Sequence, residues 1–279
     1  MDIGVFIFAT DYSIAPDELA RELETRGFAS LYLPEHTHIP TSRRSPWPGG
    51  GELPKEYSYT HDPFVALSFA AAATTKLKLG TGICLVPQHN PIVLAKTIAS
   101  LDLLSDGRFI FGIGGGWNVD EMENHGVQYK TRFKQMRESV LAMKALWTED
   151  EAAFHGEMVD FDPAWSYPKP AQRPHPPIIL GGGTDYTLKR VIEFCDGWLP
   201  LVRGGFDAAE GMARLRRFAD EAGRDMASLS VSLFGARPDA KILDSYARDG
   251  VDRALLMLPA EGREVILPLL DEYAPLLDA

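Results

Sequence analysis

The chain has 279 residues, 45% of them hydrophobic and 24% charged. That is ordinary material for a globular protein with a sizeable core, as one large domain or two small ones. A formal net charge of -11 argues against broad contact with nucleic acid or an anionic membrane surface, so an anionic ligand needs a local cluster of donors. The first residues, MDIGVFIFATD, lack the basic start and apolar length of a signal segment, and no run reaches membrane-spanning length. The expected compartment is the cytoplasm. Cys84 and Cys195 read as small core residues without a disulfide.

In chain order, residues 3–8 read as the first strand. Pro16-Asp17-Glu18 opens a helix, with proline first and acids in the positive first turn, and Gly27 stops it. Residues 30–33 form the second strand. Residues 37–60 are a long stretch rich in Pro, Gly, Ser and Arg, and loops of that length inside a domain are usually functional or disordered. Asp62-Pro63 caps a helix over 64–73. An apolar run over 77–86, broken by Gly80 and Gly82, is the third strand. Asn90 caps the next helix and Pro91 starts it. Residues 108–113 are the fourth strand, followed by a glycine loop at 114–116.

A polar segment, 118–129, precedes a helix over 132–147. Residues 149–177 are proline-rich with no strong helix or strand pattern, and FHGE at 154–157 suggests a turn. The remaining strands fall at 178–180, 198–201, 229–234 and 253–258. Helices fall at 186–195, 208–222, 241–248 and 265–277. Eight strand-like segments alternating with helices, on the scale of about 250 residues, predict an α/β chain folded as a (β/α)8 TIM barrel of one domain, 1–279. It carries a long loop after strand two and an irregular insertion before strand five. A doubly wound open sheet is the alternative, but the glycines of GIGGGW lack the dinucleotide spacing.

In a barrel, chemistry sits where the strands end. Glu35-His36 follows strand two: the imidazole can move a proton near neutral pH, and the carboxylate can orient it or accept from a ligand hydroxyl. A loop histidine bonded to backbone fits the same spacing. Gly80-Thr81-Gly82 marks either a bulge beneath a ligand or tight packing. Gly181-Gly182-Gly183-Thr184 stands between a strand and a helix, so backbone N–H groups and the positive helix end face one point, which suits a phosphate; a plain turn capped by Thr184 or Asp185 is the other reading. His61, His125 and His155 have no ligand-spaced partner, and no metal is expected. Asp120, Glu121 and Glu123 read as a solvated helix start. Arg43-Arg44 is either surface charge or a contact for an anionic tail.

With these stretches laid out, the chain resembles the luciferase-like monooxygenase superfamily, specifically its coenzyme F420-dependent oxidoreductase branch. The matching pieces are LPEH at 33–36, LGTGICLVPQHNP at 79–91, LDLLSDGRFIFGIGGGW at 101–117 and ILGGGTDYTLKRVIEFCDGWLP at 179–200. The resemblance implies a (β/α)8 barrel, a flavin-type cofactor at the carboxyl ends of the strands and a homodimer. It places His36 near the reactive carbon and Glu35 against the deazaflavin ring. It puts a non-proline cis peptide at Gly82-Ile83 behind the ring, Asn90 beside it, and Gly182, Gly183 and Thr184 around the phosphate. Trp117 stands where some sugar-phosphate dehydrogenases of this branch carry a glutamate acid, and Pro40 where they carry a tryptophan. The implied activity is hydride transfer between F420 and a small organic substrate. FMN-dependent monooxygenation with a separate flavin reductase is the alternative, and a non-catalytic flavin-binding protein is a third. F420 is favoured over FMN on two expectations: Glu35 accepts from the ring hydroxyl peculiar to a deazaflavin, and Arg43-Arg44 reaches an acidic tail.

Overall fold

Eight parallel strands close on themselves in the structure, a computed structural model describing residues 1–202 and 205–278. In chain order the strands are β1 (Asp2–Phe6), β2 (Ser30–Leu33), β3 (Lys78–Thr81), β4 (Phe109–Ile113), β5 (Ala152–His155), β6 (Asp160–Ala164), β7 (Ile178–Gly181), β8 (Gly197–Leu199), β9 (Ser230–Ala236) and β10 (Arg253–Met257). The barrel runs β1-β2-β3-β4-β7-β8-β9-β10 and back to β1, while β5 and β6 pair antiparallel outside it. The helices are α1 (Pro16–Arg26), α2 (Pro63–Ala73), α3 (Pro91–Leu104), α4 (Val119–Asn124), α5 (Arg132–Thr148), α6 (Asp185–Phe194), α7 (Ala208–Ala222), α8 (Ala240–Arg248) and α9 (Arg263–Tyr273). The (β/α)8 barrel read from the alternation is the fold observed. Among the described residues no helix is long and apolar enough to cross a membrane.

Local chemistry sets the helix starts. Proline opens α1, α2 and α3, where its missing N–H costs nothing. The Asp62 side chain accepts from the Val65 amide, and Asn90 accepts from those of Ile92 and Val93. Burial then follows the period of two. Ile3 and Val5, Leu31 and Leu33, and Phe109 and Phe111 face the layer between strands and helices. Phe6, Tyr32, Ile110, Ile179, Leu199 and Leu255 alternate with them and fill the barrel itself. Phe6 and Phe234 stack there with ring centroids 3.8 Å apart. Both strand faces are covered, which is why the strands read as continuous apolar runs.

Two expectations change. The third strand ends at Thr81 rather than continuing to residue 86. The chain crosses a cis Gly82-Ile83 peptide and enters a 3-10 turn over Val86–Gln88. A side-chain carboxylate, that of Glu35, takes the Leu85 amide in place of a ladder partner. Second, the stretch without strand pattern holds the β5-β6 hairpin, turning at Gly156. It is fastened to α5 rather than built on alternation: the Glu138 carboxylate accepts from the amides of Met158 and Val159 at 2.6 and 3.2 Å. Cys84 and Cys195 are both free and buried.

Candidate active site

β2 ends at Leu33, and Glu35 and His36 follow at the barrel's carboxyl end. β4 ends nearby and runs through Gly114–Gly116 to Asn118, whose side chain caps α4 by accepting from the Glu121 amide. The cap turns Glu121 inward. Its Oε2 lies 2.8 Å from His36 Nδ1, with the two side chains 1% and 7% exposed. A carboxylate only accepts, so it fixes the imidazole proton at Nδ1 and leaves Nε2 as the exchangeable nitrogen. Glu121 Oε1 is buried without a hydrogen-bond partner among the described residues. Aromatic rings surround the imidazole. Tyr57 lies 5.3 Å from it and Trp117 5.8 Å, edge-on. Tyr57 in turn contacts Phe8 at 4.5 Å and Trp47 at 6.0 Å.

Glu35 is placed differently from His36. Its Oε1 accepts from His89 Nε2 at 2.8 Å and its Oε2 from the Leu85 amide at 2.5 Å. The Cys84 thiol donates to it as well. Burial opposes the carboxylate charge, but the hydrogen bond and charge of His89, the Leu85 amide and the thiol together hold Glu35 below its usual range. Burial alone would lower His89; its bond and charge contact with Glu35 raise it instead. The side chains of Glu35, Cys84 and His89 bring ligand-type atoms within 4.8 Å of one another, and three donors converging on one carboxylate account for that grouping. Glu35 thus clamps the turn after β3. Both of its oxygens are engaged within the protein.

The Gly82-Ile83 peptide is cis, the geometry the resemblance implied. A Cβ on Gly82 would stand 2.6 Å from the Phe234 ring, so no larger residue fits this turn. Asn90 is exposed, and its side-chain oxygen is taken by the first amides of α3. It acts as the helix cap here.

The glycine loop after β7 is open. Gly182 has φ +123, which favours glycine, and its carbonyl accepts from Trp198 Nε1 at 2.6 Å. The Gly183 carbonyl accepts from Arg214 at 3.2 Å. A Cβ on Gly183 would meet nothing within 4 Å. The Thr184 hydroxyl caps α6, accepting from the Thr187 amide at 3.1 Å. Two guanidiniums lie on neighbouring helices: those of Arg132 and Arg190 sit 4.3 and 4.1 Å from the centroid of the Phe133 ring. Phe133 packs against the β4 glycine loop, so close that a Cβ on Gly115 would stand 2.8 Å from it. Desolvation lowers both arginines, and each guanidinium stays cationic. Arg132 Nε is buried without a partner among the described residues. An open glycine corner at a helix N-terminus fits the phosphate of a flavin-type cofactor.

Sequence reasoning missed Glu121 and Asp120, which it took for a solvated helix start. Both are buried. Their signal was position: a short helix directly after a glycine loop, at the end of a barrel strand, is on the face that carries function. Arg44 is not reaching for a tail, since its guanidinium pairs with Glu123 at 2.6 Å and Asp120 at 3.3 Å.

A sequence model described as luciferase-like monooxygenase matches residues 12–238. An uncharacterized protein of Mycobacterium tuberculosis is 41% identical over 263 residues, covering 93% of this chain and 92% of its own length. An F420-dependent glucose-6-phosphate dehydrogenase of Amycolatopsis mediterranei is 31% identical over 187 residues, 60% of this chain and 56% of the dehydrogenase. An FMNH2-dependent dimethylsulfone monooxygenase of Pseudomonas putida is 35% identical over 116 residues, 40% of this chain and 32% of that enzyme. In three dimensions, the monooxygenase RslO1 of Streptomyces bottropensis superposes with a TM-score of 0.81 at 19% identity, over 99% of this chain and 98% of that one; at that identity the likeness is one of fold.

Proposed function

The chain belongs to the luciferase-like monooxygenase family, and we propose that within it this protein moves a hydride between coenzyme F420 and a small organic alcohol or carbonyl compound. Relatives in this family are oxidoreductases that use either F420 or FMN. The observation that carries the reading is the buried His36–Glu121 pair, 2.8 Å apart, at the barrel mouth. Converting an alcohol to a carbonyl, or the reverse, moves a proton at the substrate oxygen as the hydride moves at carbon. An imidazole locked at Nδ1 offers Nε2 for that proton. A protein that only stores a cofactor has no use for such a pair.

Bound F420 would supply the hydride chemistry. The other tasks fall to this chain. Gly182, Gly183 and the N-terminus of α6 hold the phosphate, with Arg132 beside them. The turn at Gly82 and Ile83, clamped from behind by Glu35, supports the ring. His36 exchanges the proton, and Glu121 keeps its tautomer and direction. The aromatic rings around the imidazole exclude water. The sugar-phosphate chemistry of the dehydrogenase relative is not carried over, because Trp117 lines this mouth.

Fluorescence titration of the purified protein with F420 and with FMN tests the choice of cofactor. F420 is expected to bind more tightly, and the F420-loaded protein to show hydride transfer with a small alcohol or ketone. Equal or tighter FMN binding, with oxygen consumed once the flavin is reduced, would replace this reading with an FMN monooxygenase served by a separate reductase.

The protein is also proposed to act as a homodimer through α2 and α3. Outer helices of a barrel normally show water a charged face, as α7 does with its arginines and acids. α2, PFVALSFAAAA, carries no charge at all. Val65, Phe69, Val93 and Leu104 are 59%, 62%, 64% and 84% exposed on these two helices. A cavity of about 490 Å³ opens between them, lined in part by Phe64, Val65, Gln88 and Val93. Both polar atoms of the Gln88 side chain are buried without partners among the described residues. Two helices about 20 Å long and about 10 Å across offer roughly 400 Å² per copy, so the segments flanking them must add to the contact to reach the size of a specific interface. Sedimentation at micromolar concentration is expected to give a dimer, and Phe69→Glu a folded monomer. A wild-type monomer would remove this assignment.

A further inference from the structure

Asp120 and Glu121 are consecutive on α4, so their side chains leave the helix about 100° apart. Glu121 turns to His36. Asp120 turns to the long loop after β2. Its Oδ2 accepts from the Ser42 hydroxyl and from the Arg44 amide at 3.1 Å, and its Oδ1 from the Ser45 hydroxyl at 3.3 Å. The Arg44 guanidinium adds an ion pair at 3.3 Å. Ser45 closes the clasp by accepting from the Val119 amide at 2.9 Å. In residues 37–60, Ser45 alone is buried. The loop therefore has one embedded point along its length, and it is the one Asp120 holds. At the far end, the Thr60 hydroxyl and the His61 amide both donate to the Ala9 carbonyl, at 3.3 and 2.7 Å.

Between these two anchors lie Trp47 and Tyr57. Tyr57 contacts His36, and Trp47 contacts Tyr57. Together with Trp117, Tyr57 of the loop brings aromatic rings against the imidazole. We propose that Asp120 is a positioning residue that latches the 37–60 loop as a roof over His36, and that this roof selects substrates presenting a planar apolar face. Rings contacting one another at 5–6 Å bind such a face by stacking. The Ser42 hydroxyl, ahead of the other contacts, holds the Asp120 carboxyl below its usual range. A lowered folded value means the latch is complete above the ordinary carboxylate range and is lost as pH falls through the folded value. Arg44 and Glu123 are the charged groups that face it.

The proposal rests on His36 as the reacting centre, so its test uses protein without cofactor. The first measurement is amide hydrogen exchange in residues 41–50, followed by mass spectrometry. The second is binding of naphthol, a planar apolar probe carrying one hydroxyl, read by its own fluorescence. Asp120→Ala is expected to speed exchange in the loop about tenfold and to weaken naphthol about tenfold, the scale of one or two lost hydrogen bonds. Ser42→Ala, made on the loop itself, leaves α4 untouched and is expected to shift both in the same direction by about threefold. Glu121→Gln is expected to leave loop exchange at the wild-type rate. Faster loop exchange with unchanged naphthol affinity would overturn the roof, as would a wild type that does not bind naphthol. Unchanged exchange in folded Asp120→Ala would overturn the latch. An inactive protein that still shows the latch and the naphthol site would count against the F420 reading alone.

Discussion

His36→Ala is expected to lower turnover by roughly 10²–10⁴-fold while leaving cofactor affinity nearly unchanged, the usual scale for losing a general acid–base. The imidazole is buried and its Nδ1 is tied to Glu121. Among the described residues no other side chain hydrogen-bonds Glu121 Oε2, so alanine leaves the substrate oxygen without a positioned partner. Glu121→Gln is expected to cost turnover as well, by as much as about 10⁴-fold, because the amide can donate to Nδ1 and hold the imidazole in the wrong tautomer with the geometry intact. Steady-state rates across pH, with F420 affinity measured separately by fluorescence, check both. Full turnover in folded His36→Ala would leave the histidine as a wall of the site. Full turnover in folded Glu121→Gln would mean the carboxylate does not set the tautomer of His36.

The barrel was legible because its causes are local. Proline at the starts of α1, α2 and α3, side-chain caps such as Asp62 and Asn90, Gly27 and Gly223 at helix ends and unbroken apolar runs in the strands are chemistry a short window contains. The β5-β6 hairpin was not legible: its amides are taken by Glu138 of α5, a contact made across 20 and 21 residues. The site divides the same way. His36, the Gly82-Ile83 turn and the glycine corner lie where a strand ends, and strand ends can be found from sequence. Glu121 and Asp120 could not be assigned roles, since a carboxylate in the first turn of a helix is ordinarily explained by the helix dipole. What removed them from water was the long loop folding back over α4. Glu35 shows the converse. Its place at a strand end was readable, but its direction depended on where His89 and Leu85 arrive after the β3 turn, so a neighbour of His36 became a clamp on that turn. Position along the chain tells which residues reach the mouth; the pairing of side chains there is decided by segments distant in sequence.

Gly183→Asp is expected to abolish measurable cofactor binding while leaving the barrel folded. The position tolerates a side chain: a Cβ there meets nothing within 4 Å, and its φ is not in the left-handed region. The contacts that hold the corner are made by carbonyls, Gly182 to Trp198 and Gly183 to Arg214, and survive the change. The new carboxylate would stand where the phosphate approaches the start of α6. Two unit charges 4 Å apart repel by about 1 kcal/mol in bulk water and about 4 kcal/mol near a protein surface, roughly 5- to 1000-fold in affinity. Gly183→Ala supplies the control, since it adds bulk into open space without charge and is expected to change affinity by less than about threefold. Arg132→Ala should weaken binding on its own if its unpartnered Nε meets the same anion. Fluorescence titration with F420, alongside circular dichroism to establish the fold, separates these outcomes. If folded Gly183→Asp binds the cofactor as the wild type does, the phosphate lies elsewhere. If the alanine and aspartate variants lose binding equally, the corner is sensitive to shape and the charge argument fails.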